Sequence, residues 1–278
     1  MTNITGTTQS HPHPDIQLRW PASVLWRDGD PQVRTITTAD VWTSLREGVD
    51  DFRAMPTHVV FACILYPVVG IVLARLLFGY EMLPLLYPMA AGFALLGPFV
   101  AIGLYELSRR RELGLDISPA RALDVLHRPG IDAVFTLGAV LALAFAGWLY
   151  LANVMYTQII GSEPTSLSDF FQQVMGTDRG TQLMVTGNLV GFIFALLVLV
   201  TSVVSFPMLI DRDVGVGAAV RTSVRAALEN PIPVALWGLI VASGLLLGAL
   251  PLLIGLAIVL PILGHATWHL YRKLVVKE

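Results

Sequence analysis

Cysteine is almost absent from this sequence, and charged residues are scarce. Cys63 is the only cysteine, which excludes an intramolecular disulfide and any CxxC redox or metal motif. Charged residues make up 14% of the chain and hydrophobic residues 55%, with a mean hydropathy of +0.68. This composition is too apolar for a soluble domain and predicts a protein embedded in a lipid bilayer.

Common enzyme motifs are also missing. The chain has no phosphate loop, no HExxH and no GxSxG motif. Its basic residues are interleaved with acidic ones, so no nucleic-acid-binding surface is indicated. Residues 1–57 contain no apolar stretch of signal-peptide length, so the first membrane helix is expected to direct insertion. We predict no catalytic site, no cofactor and no nucleic-acid partner.

Five stretches without Asp, Glu, Lys or Arg mark the predicted membrane spans: 59–74, 82–105, 133–162, 180–210 and 230–271. A hydrocarbon core ~30 Å thick needs only about 20 helical residues. The last stretch is about twice as long and has to fold back on itself. Pro251 lies at its midpoint and is suited to begin the returning helix, because proline is tolerated in a first helical turn. The sequence predicts an all-α, polytopic membrane protein with six transmembrane helices.

The basic residues predict the orientation of these spans. Of the 18 lysines and arginines, only Arg75 and Arg179 fall on one side of the predicted membrane. Because positive charges concentrate in cytoplasmic loops, both termini are predicted to be cytoplasmic. The lipid bilayer is the first predicted partner.

The spans form an internal repeat. Each odd-numbered span follows a cytoplasmic segment and a proline, in WTSLREGVDDFRAMP, PARALDVLHRP and AAVRTSVRAALENP. In each copy an apolar residue lies nine positions before an aromatic one: Phe52 and Phe61, Leu126 and Phe135, Leu228 and Trp237. We predict three membrane hairpins, each preceded by a cytoplasmic interfacial helix. The domains are a cytoplasmic tail, 1–37, and a membrane domain, 38–278, with repeats at about 38–111, 112–214 and 215–274.

Two helices outside the spans have clear patterns. The first interfacial helix is capped by Thr37 or Thr38 and places one apolar stripe on its surface: Trp42, Leu45, Val49 and Phe52. This stripe packs on its own hairpin or docks a partner. The outer loop contains a second amphipathic helix, with Ser166 as its cap and Gly176 as its end.

Glycines in the fourth span predict close helix packing. Gly187, Asn188 and Gly191 form a GxxxG motif, in which the glycines let a neighbouring helix approach. The Asn188 side chain is able to hydrogen-bond across that contact.

Four motifs resemble those of one prokaryotic integral-membrane family, domain of unknown function 2189: GPFVAIGLYELSRRRELG, VTGNLVGFIFA, VVSFPMLIDRDV and LPILGHATWHLYRKLV. The resemblance runs from about Thr38 to Leu274. It implies a bacterial inner-membrane protein, and it supplies no catalytic residues.

His265 and His269 are four residues apart and share one helix face, so they are able to ligate one metal ion. They also lie beside Trp268, Tyr271 and Arg272, the residue types that anchor a helix end at a membrane surface. We predict that both histidines lie at the interface and hold no stoichiometric metal or haem.

The alternative is a polar site at the inner face. His58 and His127 belong to the same predicted cytoplasmic layer, as do Glu106 and Asp211 at the ends of spans two and four. If the repeats surround an axis, Glu106, Asp211 and His269 converge. Ionisable residues at membrane depth are frequently functional.

Three classes of function stay open. Interfacial helices without a catalytic set favour an accessory, scaffold or assembly component, with a membrane protein partner or a second copy of the chain. Internal repeats are also typical of a small-solute or metal transporter. The histidine layer is compatible with a metal- or haem-binding membrane protein.

Overall fold

The computed structural model describes residues 29–55, 57, 83–161, 163–251 and 253–277, without the side chain of Phe93. The first predicted span, 59–74, lies outside this range, together with Cys63 and His58. The regular secondary structure of the described residues is helical, apart from one antiparallel bridge between Val33 and Val275.

Eleven α-helices are present in the described residues. They are α1 (Thr38–Ala54), α2 (Leu83–Phe93), α3 (Gly97–Val100), α4 (Ile102–Glu112), α5 (Ile131–Ile159), α6 (Leu167–Met175), α7 (Asp178–Ser202), α8 (Ser205–Asp211), α9 (Val216–Glu229), α10 (Pro231–Ala249) and α11 (Leu256–Leu274). Two 3-10 helices, Ala94–Leu96 and Pro119–His127, complete the set.

Four helical stretches are long and apolar enough to cross a membrane: Leu83–Glu112, Ile131–Ile159, Asp178–Asp211 and Pro231–Ala249. They agree with the predicted runs 82–105, 133–162, 180–210 and the first half of 230–271. The last run does fold back, because α10 and α11 are separated by a turn that contains Pro251. The prediction of a multi-pass helical membrane protein is therefore confirmed, whereas six spans and a threefold repeat stay predictions.

Helix caps fix the elements outside these stretches. The Thr37 backbone N–H donates to the Asp40 side chain at 2.8 Å at the start of α1. The Ser166 hydroxyl accepts from the Asp169 N–H at 3.1 Å at the start of α6, and Gly176 ends that helix. The predicted outer helix is therefore confirmed. All three predicted interfacial segments are helical as well, in α1, Pro119–His127 and α9.

The bundle has two layers with different burial. One layer, called the terminal layer here, consists of α1, α4, Pro119–His127, α8, α9, residues 263–274 of α11 and the chain ends at 30–37 and 275–277. Many of its large side chains are fully enclosed, among them Tyr105, Phe206, Trp268 and Tyr271. In the remaining membrane layer, large apolar side chains point outward, as Leu143 does with 73% exposure. Outward apolar side chains suit a surface that faces lipid.

Proline and serine residues shape the border between the layers. The helix that starts at Leu83 is interrupted by the 3-10 helix Ala94–Leu96, directly before Gly97 and Pro98, and α7 is separated from α8 at Val203 and Val204. Ser223 of α9 bridges this second break, because its hydroxyl accepts from Val204 N–H at 3.2 Å and donates to Val200 C=O at 2.8 Å. Val204 N–H and Val200 C=O, which have no helical partner at this break, are thus paired with Ser223 and need no water.

The chain ends are part of the terminal layer. The Arg34 N–H donates to Leu274 C=O at 2.7 Å, and the Val276 N–H donates to Gln32 C=O at 3.0 Å. Arg221 binds the Asp30 carboxylate through two hydrogen bonds of 2.7 and 2.9 Å, and this contact raises the pKa of the guanidinium. Residues 30–37, assigned above to the tail, are therefore bound to the end of the chain.

Candidate functional site

Helix α1 packs lengthwise on α11, and small residues set the distance between them. The buried positions of α1 are Val41, Ser44, Gly48 and Asp51, at helical spacings of three, four and three. A Cβ added to Gly48 would lie 2.5 Å from the Ala266 Cβ, so only glycine fits at this contact. The predicted contact face of α1 was wrong. The residues of that stripe are half buried or exposed: Trp42, Leu45, Val49 and Phe52.

The order of the contacts gives the direction of the two helices. Glu47 contacts Lys273, Asp51 contacts His269, and Thr57 beyond the end of α1 contacts His265. The numbers rise along α1 and fall along α11, so the helices are antiparallel. Within its own predicted hairpin, α1 contacts α4 through Asp51, and the first span of that hairpin lies outside the described residues.

Asp51 is the centre of a buried polar cluster, called the Asp51 cluster here. Its members are Asp51 on α1, Ser108 and Arg111 on α4, and His265 and His269 on α11. Oδ2 of Asp51 lies 2.5 Å from Ser108 Oγ and 2.9 Å from His269 Nε2. Oδ1 lies 2.5 Å from an Arg111 guanidinium nitrogen. Asp51 is 3% exposed and His265 is fully buried.

Donors and acceptors can be assigned consistently to all members of the cluster. Ser108 donates its hydroxyl proton to Asp51, so its oxygen accepts from His265 Nδ1, which is 2.8 Å away. His269 donates from Nε2 to the same carboxylate. Burial raises the pKa of Asp51, but the hydrogen bonds from His269 and Ser108 outweigh it and leave that pKa below its usual value. Asp51 is therefore a charged acceptor shared by three elements of the fold.

This geometry unites a serine, a histidine and an aspartate, but it does not activate the serine. A nucleophilic serine gives its proton to histidine, which the carboxylate orients. Here Ser108 gives its proton to Asp51, and His265 Nδ1 is 3.9 Å from that carboxylate. Ser108 is also 1% exposed. The cluster instead joins α1, α4 and α11 through charge-assisted hydrogen bonds, which are stronger than neutral ones.

The four metal candidates divide into separate groups. His265 and His269 belong to the Asp51 cluster, whereas Glu106 binds Arg109 through two hydrogen bonds of 2.9 and 3.0 Å. Asp211 accepts from Tyr271 at 2.6 Å and from Arg272 at 2.8 Å. Both acids thus have arginine partners, and neither forms a hydrogen bond or ion pair with His265 or His269. Within the described residues, no group of three or more His, Cys, Asp or Glu side chains is placed to hold a metal ion.

Both histidines lie in the terminal layer, and their place at the membrane interface stays a prediction. His265 is enclosed in the terminal layer, and His269 is partly exposed between Asp51 and Glu47, whose Oε2 is 3.7 Å from His269 Nδ1. Among the other expected members of the layer, His127 is exposed. Asp51 and Ser108 did not stand out in the sequence. The available signal was the Val41, Ser44, Gly48 and Asp51 spacing, a second helical stripe of small and polar residues.

The GxxxG segment of α7 faces α5 and α2. A Cβ on Gly191 would lie 3.1 Å from the Trp148 ring, and one on Gly187 would lie 3.6 Å from Met155. The Asn188 side chain accepts a hydrogen bond of 2.6 Å from the Tyr87 hydroxyl on α2. The three residues therefore contact two neighbouring helices of the membrane layer.

Several apolar helices that are long enough to cross a bilayer define an integral membrane protein. Residues 85–211 match the family described as predicted integral membrane protein (DUF2189). This confirms the family resemblance over that range, which holds the first two motifs and most of the third. The fourth motif, at 260–275, lies beyond it. No curated protein and no solved structure matches the chain.

Proposed function

We propose that this protein is an accessory, scaffold or assembly component of a protein complex in the bacterial inner membrane. In this proposal the membrane layer anchors the chain, and the terminal layer is a rigid cytoplasmic platform for a partner protein. The charged side chains at its centre hold its own helices together. Such a site suits a structural role better than solute binding.

The proposed topology has cytoplasmic termini and three membrane hairpins. Nearly all described basic residues lie in the terminal layer, and Arg179 lies at the far end of α7, which favours a cytoplasmic terminal layer. Thr57 lies beside His265 in that layer, whereas α2 starts near the outer helix α6. These two positions support the predicted first span, 59–74. Helix α11 returns from its turn with α10 to the terminal layer, so the third hairpin begins and ends in that layer.

One observation supports the proposed partner surface. The segment between α4 and α5 exposes four leucines in the terminal layer: Leu113, Leu115, Leu123 and Leu126. Leu123 and Leu126 are three residues apart on a 3-10 helix and share one face. Exposed apolar side chains grouped in this way are typical of a binding surface.

The charges of this segment favour a protein over an anionic membrane surface. Asp116 pairs with Arg121 at 3.0 Å, and Asp124 pairs with Arg110 at 3.0 Å. Helices that bind a membrane surface are usually rich in lysine and arginine on their polar face. Here acids balance the bases, and such a rim is typical of a protein interface.

Photo-crosslinking from position 123 in native membranes tests this proposal. We expect one defined protein, or a second copy of this chain, to be crosslinked from 123 and to be lost in a Leu126→Asp variant. Position 143 on α5 is the control, because its side chain faces outward in the membrane layer. Crosslinks to lipid alone from both positions would contradict the proposal. A bound metal or a haem absorbance band in the purified protein would favour the alternative metal or haem function.

A further inference from the structure

The turn between α10 and α11 has the features of a segment surrounded by hydrocarbon. Residues 244–264 contain no side chain with a hydrogen-bonding or charged group. At the turn, Leu250 is 70% exposed and Ile254 is 53% exposed. By contrast, the connection between α5 and α7 contains Glu163 and Asp169, and α7 begins at Asp178. The two connections described on this side of the bundle therefore differ in chemistry.

Five backbone N–H groups of the turn are paired within the turn itself. The N–H groups of Leu250, Leu253, Ile254, Leu256 and Ala257 all donate to carbonyl oxygens at 3.0–3.2 Å inside residues 246–257. A turn in water leaves such groups to the solvent, whereas a turn in hydrocarbon has to satisfy them internally. Tight packing makes this possible, since a Cβ on Gly255 would lie 2.9 Å from Gly248 Cα.

The hairpin is also shorter than its neighbours. A Cβ on Gly238 of α10 would lie 2.7 Å from the Leu199 side chain of α7, so these two residues are at the same level. From that level α7 continues to Asp178, roughly 31 Å at ~1.5 Å per residue. Helix α10 continues only to Leu250, roughly 18 Å on the same basis. The tip therefore ends well below the charged outer end of α7.

We propose that the α10–α11 hairpin ends inside the bilayer, with Leu250 and Ile254 against the acyl chains of the outer leaflet. The hairpin then enters and leaves from the cytoplasmic side without reaching outer water. Acyl chains are the ligand that fits, because the tip offers only methyl and methylene groups and no free donor among the N–H groups named above. The assignment to the outer leaflet rests on the proposed cytoplasmic terminal layer.

Cysteine labelling tests the position of the tip. In a Cys63→Ala background, single cysteines replace Leu250, Ile254, Gln172 on the outer helix, and Lys277 at the terminal layer. With a membrane-impermeant maleimide on intact cells, we expect labelling of Gln172→Cys alone. Lys277→Cys should react only after lysis, and the two tip variants should react in neither case. Labelling of the tip to the level of Gln172→Cys would overturn the proposal.

Nitroxide labels at the same positions identify what surrounds the tip. We expect molecular oxygen to relax labels at 250 and 254 more strongly than a water-soluble nickel chelate does, with the opposite order at 172. A tip shielded from both reagents is covered by protein, which would overturn the acyl-chain assignment. If Lys277→Cys but not Gln172→Cys is labelled in intact cells, only the proposed orientation is refuted. The nitroxide measurement then still decides whether the tip lies in hydrocarbon.

Discussion

Asp51 Oδ2 and His269 Nε2 lie 2.9 Å apart, although 218 residues separate them in the sequence. This hydrogen bond, with those from Ser108 and Arg111, holds the first described helix against the last. The stability of the terminal layer should therefore depend on a carboxylate at position 51.

Asp51→Asn should destabilise the terminal layer by roughly 1–3 kcal/mol, the cost of leaving buried hydrogen-bond partners of a charged group unsatisfied. Thermal unfolding in detergent, followed by tryptophan fluorescence, measures the change. Asp50→Asn is the matched control, because Asp50 and its partner Arg53 are both largely exposed, and it should change stability by less than about 0.5 kcal/mol. Equal effects of the two variants would refute the structural role of the cluster.

Gly48→Ala should also destabilise the protein, because the new Cβ overlaps the Ala266 Cβ. Overpacking of this kind costs about 1–3 kcal/mol, which exceeds the gain of about 1 kcal/mol from alanine's higher helix propensity. Gly147→Ala on α5 is the control, since its Cβ meets no atom within 4 Å. We expect that variant to be as stable as the wild type or slightly more stable, and the same unfolding assay compares them. A stabilised Gly48→Ala protein would show that α1 is not held this closely.

The stabilisation by Asp51 should depend on pH in the acidic range. Its folded-state pKa is lowered, so the contribution is fully present above the unfolded value of about 3.9 and is lost as pH falls through the folded pKa. The difference in melting temperature between the wild type and Asp51→Asn should be constant from pH 7 to about 4 and shrink below that. A difference that disappears already at pH 6 would contradict a role of the Asp51 carboxylate.

Reporter fusions test the orientation of the bundle. Fusions after Leu274 and within 113–118 should read as cytoplasmic, and a fusion near Glu163 should read as external. The reason is the concentration of basic residues in the terminal layer. An external C-terminus would refute the proposed topology, whatever the outcome for the Asp51 variants.

Much of the fold is legible in the sequence because it depends on local composition. Runs without charge predict the membrane stretches, Ser166 and Gly176 predict the outer helix, and the length of 230–271 predicts its reversal near Pro251. The prediction of the contact face of α1 was wrong for a physical reason. Apolar periodicity favours Trp42 and Phe52, whereas the partner helix selects small residues such as Gly48, where a backbone has to approach closely.

The candidate site was less predictable than the fold. His265 and His269 stand out by their spacing, but their partner is an acid on α1 that the sequence places with the charged side chains of an amphipathic helix. The alignment of the repeats raised the alternative that Glu106 and Asp211 lie near His269. In the structure, arginines and Tyr271 bind these acids instead. Such pairings follow from the tertiary arrangement and leave no local pattern.

The contact between α1 and α11 also has a consequence for biosynthesis. At about 5–20 residues per second, the ribosome needs roughly 10–40 s to proceed from Asp51 to His269. During that interval Gly48 lacks its contact on α11, and Ser108 and Arg111 of α4 are the only cluster members already made that can pair with Asp51. The terminal layer is therefore completed only when the last described helix has been made.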